Sequence, residues 1–381
     1  MSSQSASLHH NEPVLFTRSA YGTPAEAFFL LPPRKLLRVH SSDATLKLVV
    51  SDFRIDGRKI TYTGTEKIPS FSEKELFPAE KTARSIGHHT DGKRHLLFSE
   101  GRYFYDQQIR FDYETDERWT LPGPSAHSRS LPHLSRLATR IAEGRPITVV
   151  LLGDSISAGA NAVESPRYIE QFCDRLRTLT TGEVTLHNLS KGGMSTPWGV
   201  EQAAQAAALR PDLFIVAFGM NDASGKYPPE NYAANVRRMI AMVIDANPNV
   251  ECAVVSGMNA NPAWHLARPE FHQAYHEQLK KLADARIVFC DVFTPWNHLV
   301  ARKGFVSVTG NGVNHPNDYG HRLYADVLTR DLLPDTTQEW PPPALASNSR
   351  HPLPPPPAFV PRQRRGHWPL ELQRGRLNLP R

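Results

Sequence analysis

Cysteine is scarce in this chain: three in 381 residues, Cys173, Cys252 and Cys290. That count excludes a disulfide framework. Cys252 and Cys290 fall in apolar, strand-like runs, where cysteine serves as a small buried hydrophobe. Long apolar runs are lacking too. A hydrophobic content of 40% can build a sizeable core, but no run approaches the roughly 20 residues of a membrane helix, so no membrane span is expected. The opening residues, MSSQSASLHHNEP, hold no charged segment followed by an apolar one. As written, the chain is expected to be cytoplasmic, or exported if the N-terminus is incomplete.

Net positive charge is also lacking in the body of the chain, although the formal net charge is +6. Past Trp340 stand Arg350, Arg362, Arg364, Arg365, Arg374, Arg376 and Arg381 against one acid, Glu371, and this stretch accounts for the whole excess. No basic groove is implied elsewhere, and no nucleic-acid partner is expected. Residues 340–381, which include PPPALASNSRHPLPPPP, read as a Pro/Arg-rich tail without regular structure.

What is present divides in two, as the length allows. Residues 13–125 are rich in short β-branched and aromatic runs such as LKLVVSDFRI, KITYTG and YFYDQQIRFDYE. Turn residues separate them, and the spacing predicts a β-sandwich-like accessory domain. Residues 145–335 alternate strands with helices. ITVVLLG, VTLHNL, DLFIVAFG, VECAVVSG and RIVFCDV are near-continuous apolar runs, the pattern of parallel strands buried on both faces.

The chemistry-bearing residues follow these strands. The first strand leads into GDSISAG, which puts Ser155 at the carboxyl edge of the sheet, where α/β proteins build their sites. After the second comes GGMST with Gly193, whose N–H can approach a ligand closely. The third leads to GMND, where the amide of Asn221 can donate to an oxyanion. The fourth block, VNHPND, holds His315 just before the closing helix. Each alone has an ordinary reading as a turn or a structural histidine.

Together, GDSISAG, GGMST, GMND and VNHPND, in that order, resemble the SGNH (GDSL-type) hydrolase family over about residues 145–335. The resemblance implies a flavodoxin-like three-layer α/β/α sandwich on a five-stranded parallel sheet. It implies a serine esterase without metal or cofactor, acting on an acyl ester, often acetyl, of a sugar, lipid or small molecule. Ser155 would be the nucleophile and His315 the base, with Ser155, Gly193 and Asn221 forming the oxyanion hole.

One position departs from the family pattern. The acid usually stands three residues before the histidine, and here that residue is Gly312. Asn311 is the nearest polar candidate to orient His315, and Asp291 follows the fifth strand on the same edge. The expectation is a Ser-His dyad with a neutral acceptor. Asp318 is expected to cap the last helix.

Trp198, Trp264 and Trp296 offer aromatic platforms for a sugar or else packing beneath loops. The spacing of His272 and His276 is read as a solvated helix face, and no metal site is expected. The expected partner is a small ester or acylated saccharide. An acyltransferase with the same residues, and a non-catalytic carbohydrate-binding module, are the alternatives. Oligomeric state is not encoded in any feature of the sequence.

Overall fold

Alternating apolar and polar residues give the first part of the chain its short strands. The structure, a computed structural model, describes residues 7–19, 23–43, 45–122 and 134–334. The tail expected at 340–381 lies outside the described residues. Ten strands come first: β1 (Ser7–Val14), β2 (Phe16–Arg18), β3 (Glu26–Phe28), β4 (Lys35–Ser41), β5 (Phe53–Asp56), β6 (Lys59–Tyr62), β7 (Ser70–Ser72), β8 (Ser85–Ile86), β9 (Leu96–Leu97) and β10 (Ile109–Thr115). They form an antiparallel sheet in the order β1-β10-β4, a sheet β5-β6-β3-β2-β7 and the hairpin β8-β9. Only β2 and β7 pair in parallel there. The two larger sheets meet through aromatic rings: Phe29 lies edge-on to Phe111, and so does Phe53. Two single helical turns, α1 (Glu73–Leu76) and α2 (Tyr103–Asp106), punctuate the region.

After the helix α3 (Ser135–Ala142) the strands become parallel. β11 (Ile147–Gly153), β12 (Val184–Asn188), β13 (Leu213–Ala217), β14 (Glu251–Ser256) and β15 (Ile287–Asp291) form one sheet in the order β12-β11-β13-β14-β15. This is the 2-1-3-4-5 order of flavodoxin-like folds, with its switch point between the first and third strands. Strand residues alternate between two cores. Val149, Leu151, Ile215 and Val255 face the core shared with α4 (Tyr168–Thr178), α9 (Phe293–Lys303) and α10 (Asp318–Leu332). Val150, Leu152, Phe214 and Val254 face that of α5 (Thr196–Ala208), α7 (Pro229–Ala246) and α8 (Pro269–Lys280). Two apolar faces explain the continuous apolar runs. Among the described residues, no helix is long and apolar enough to cross a membrane.

The β-rich region shares the first of these cores. Phe16, Phe29, Phe111 and Tyr113 belong to the same buried cluster as Tyr168, Trp296 and Leu323. The expected division into domains 13–125 and 145–335 is therefore not a division of the core. A polar network crosses the same seam. Lys303, at the end of α9, pairs with Glu12 of β1, and both side chains are wholly buried. Glu12 also accepts from the Tyr113 hydroxyl at 2.7 Å and the Leu30 N–H at 2.7 Å, and His9 bonds the Tyr319 hydroxyl at 2.9 Å. Burial pushes the Glu12 carboxyl up, but Lys303 and His9 together outweigh it and hold the carboxyl at about 2.

Breaking this pair leaves a buried, uncompensated charge. Lys303→Met is expected to cost about 3–5 kcal/mol in urea unfolding, and Glu12→Leu added to it to recover most of that loss. Because the Glu12 carboxyl is depressed in the folded state, its contribution is complete above the ordinary carboxylate range. It is lost as pH falls toward about 2. The acid limb of the unfolding curve is therefore expected to shrink in Glu12→Gln.

Candidate active site

Parallel strands deliver their following loops to one edge, and the candidate residues collect there. β11 ends at Gly153 and the chain turns through Asp154 and Ser155, with the Ala160 N–H bonded to the Ser155 carbonyl at 2.9 Å. Asp154 is buried and accepts the Ile156 N–H at 3.0 Å. Burial pushes its carboxyl up to about 7 against the pull of such hydrogen bonds. Ser155 itself is half-buried.

The loop after β12 is tied to the same place by the Lys191 N–H on the Gly153 carbonyl at 3.1 Å. Gly193 in this loop is exposed, with φ +77°, and its outer side faces open space. That left-handed backbone is what requires glycine. After β13, the short helix α6 (Met220–Ser224) carries Asn221, whose side-chain amide donates to the Met194 carbonyl at 2.9 Å. The amide carries a second hydrogen that can donate. The next residue, Asp222, accepts the Thr196 N–H at 3.0 Å and its hydroxyl at 2.6 Å. It thereby locks the start of α5 to α6, and burial pushes its carboxyl up to about 6.

His315 lies in the loop before α10. Its carbonyl accepts from the Thr309 hydroxyl at 2.8 Å and the Gly310 N–H at 2.9 Å. Its own N–H bonds the side-chain oxygen of Asn311 at 3.1 Å. The imidazole reaches back over the sheet edge, with Nε2 2.9 Å from Ser155 Oγ. On the other side Nδ1 meets Asn161 Oδ1 at 2.9 Å and Glu100 Oε2 at 3.3 Å. Both of those partners accept only, so Nδ1 carries the proton and Nε2 presents its lone pair to the serine hydroxyl.

Neither residue named beforehand as an orienting partner touches the ring nitrogens. Asn311 uses its side-chain oxygen on the N–H groups of Val313, Asn314 and His315, since it closes their turn. Its amide donates to Glu100 Oε1 at 3.2 Å and Asn314 Oδ1 at 2.9 Å. Asp291 accepts the Thr294 N–H at 2.9 Å and lies 3.7 Å from His276, because β15 lies three strands away from β11. The expectation of a neutral acceptor alone is corrected: a carboxylate, Glu100, stands beside Asn161.

Gly312 explains the arrangement. Its φ is +85°, and a Cβ there would lie 2.5 Å from the Leu97 carbonyl oxygen and 2.7 Å from the Phe104 ring. The family's usual acid position is thus filled by the segment that brings in Glu100. The Glu100 side chain is about half exposed (48%). Partial burial raises its carboxyl pKa. The hydrogen bond and charge of His315, with the amides of Asn311 and Asn161, outweigh that and hold it below the ordinary value.

Other candidates fall elsewhere. Trp198 is half-buried in the first turn of α5, edge-on to Phe218. Trp264 and Trp296 are buried and offer no stacking face. His272 and His276 are buried rather than solvated. Asn317, not Asp318, caps α10 by accepting the Gly320 N–H. Asp318 instead accepts the N–H groups of Val163 and Glu164 at 2.7 and 3.1 Å. Among the described residues, no group of three or more His, Cys, Asp or Glu side chains is placed to hold a metal.

With this geometry in hand, comparison with known proteins is direct. Residues 151–323 match the model of the GDSL-like lipase/acylhydrolase family. An arylesterase from Vibrio mimicus is 32% identical over 104 residues, which is 27% of this chain and 51% of the relative. The chain thus spans about half the length of that curated relative. Among solved structures, a lipase from a goat rumen metagenome is 16% identical with a TM-score of 0.42, covering 49% of this chain and 97% of its own. An acetylxylan esterase from Geobacillus stearothermophilus is 15% identical with a TM-score of 0.41, covering 51% and 99%. The fold assignment rests on the strand order, not on these overlaps. Residues 151–323 thus match the GDSL-like lipase/acylhydrolase family model and carry the four SGNH-type motifs in order.

Proposed function

We propose that this protein is a serine carboxylic ester hydrolase that removes a small acyl group, acetyl foremost, from a carbohydrate or small-molecule ester. The observation that carries the reading is the 2.9 Å contact between Ser155 Oγ and His315 Nε2, with Nδ1 already occupied by acceptors. In this mechanism Ser155 Oγ attacks the ester carbonyl while its proton passes to His315 Nε2. The carbonyl electrons move onto the oxygen, which the N–H groups of Ser155 and Gly193 and the Asn221 amide hold. The intermediate collapses and expels the alcohol oxygen, which takes the proton from Nε2. A water then gives a proton to His315 Nε2 and attacks the acyl-serine; collapse releases the carboxylic acid as Ser155 Oγ takes that proton back from Nε2.

The arylesterase similarity supports an ester substrate and adds aryl esters to the candidates. For the sugar part, Trp198 is the remaining aromatic candidate. It is half-buried and follows the Gly193 loop closely.

Turnover of p-nitrophenyl esters across acyl lengths tests the reading. Ser155→Ala is expected to lose at least about 10³-fold in kcat with unchanged thermal unfolding; equal turnover by the mutant would contradict it. Asn221→Ala is expected to lose about 10²–10³-fold in kcat with KM little changed. A rise in KM at constant kcat would assign Asn221 to ground-state binding instead.

A further inference from the structure

We infer that Glu100, supplied by the β-rich region, is the charged partner of His315, and that it divides with Asn161 a task usually given to one acid. This rests on the esterase reading above. Asn161 Oδ1, at 2.9 Å from Nδ1, fixes the tautomer and the tilt of the ring. Its amide is anchored on the carbonyls of Gly310 at 2.9 Å and Gly101 at 3.2 Å, so it is held from both the histidine loop and the Glu100 loop. A neutral oxygen orients an imidazole but adds no charge. Glu100 Oε2, 3.3 Å from Nδ1, adds it.

Glu100 is held from three sides. The Ser99 N–H bonds the Asn311 carbonyl, the Asn311 amide holds Oε1, and β8-β9 pairing fixes the preceding residues. Glu100 lies outside the segment that matches the family model. The β-rich region is therefore part of the catalytic machinery rather than an appendage, and Glu100 is a positioning residue that acts through His315. The other titratable groups that feel His315 are Asp154, on the turn after β11, and His321, on α10. Neither is hydrogen-bonded to the ring, since Asp154 bonds Ile156 and His321 bonds the Ala160 carbonyl.

A carboxylate beside Nδ1 favours the imidazolium, which forms as Nε2 takes the serine proton. Removing the charge takes that support from the imidazolium, so kcat falls and the acid limb of kcat/KM moves to lower pH. Because Asn161 keeps the tautomer, the fall is smaller than the loss on neutralising a sole triad acid: roughly 10- to 100-fold for Glu100→Gln.

The test is the pH profile of p-nitrophenyl acetate hydrolysis by the full-length wild type, Glu100→Gln, Glu100→Ala and Ser155→Ala, with melting curves for each. Added formate is expected to restore part of the Glu100→Ala rate, since the half-exposed position admits a small carboxylate, and to do nothing for Ser155→Ala. Wild-type kcat and an unmoved acid limb in Glu100→Gln, with turnover still abolished in Ser155→Ala, would overturn the inference and leave the esterase reading intact. Undiminished turnover in Ser155→Ala would remove the reading itself. If Glu100→Gln melts abnormally, Glu100→Ala decides alone: absence of formate rescue there overturns the inference.

Discussion

The contact of Leu97 and Phe104 with Gly312 shapes the whole site. A backbone carbonyl and an aromatic ring occupy the space where a side chain at that position would extend. With no room for an acid in the histidine loop, the imidazole takes its acceptors from outside it. Asn161 comes from the turn that follows the serine, and Glu100 from the segment that fills the space. The constraint and its remedy are thus one structural feature. The packing that forces glycine at 312 also delivers the carboxylate.

That dependence gives the β-rich region a chemical reason to share a core with the α/β layers. A side chain at 3.3 Å from a ring nitrogen must be held within fractions of an ångström. A flexibly tethered accessory domain would not hold it. The common hydrophobic cluster and the buried Glu12–Lys303 pair fix the region against α9 and α10, and α10 begins two residues after the proline that follows His315. Asn311 links the two halves locally. Its oxygen shapes the histidine turn and its amide grips Glu100. What reads in sequence as an orienting acceptor is in space the hinge pin between the histidine and its charge.

The legible part of this site was local. Ser155 and Asn221 each follow a continuous apolar strand and Gly193 follows the half-buried edge strand β12, and parallel strands bring such positions to one edge by geometry alone. His315 was legible by its place before the closing helix. Asn161 lay six residues past the serine in the same loop, but its side chain looked like that of any turn asparagine. Glu100 carried no signal at all, because its contact with His315 spans 215 residues and depends on two regions packing together. Asp291 shows the converse limit. It does sit on the active edge, yet β15 lies at the end of the sheet, and its carboxylate serves the N-terminus of α9. Of the two readings for Trp264, a platform or packing beneath a loop, the second holds: it is buried, and Gly87 of the β-rich region packs against it. Glu100 and Trp264 were hidden where that region covers the α/β domain, whereas His276 is buried by Phe289 and Phe293 of the α/β domain itself.

The central claim is that an acyl group passes through Ser155 under the control of an imidazole shared between the two regions. Rapid acid quenching of the enzyme during p-nitrophenyl acetate turnover, followed by peptide mapping by mass spectrometry, tests it most directly. The account predicts a transient acetyl group on the peptide that carries Ser155, absent in Ser155→Ala. Acetyl on another residue that turns over at the catalytic rate, or burst-free turnover unchanged by loss of Ser155, would contradict it.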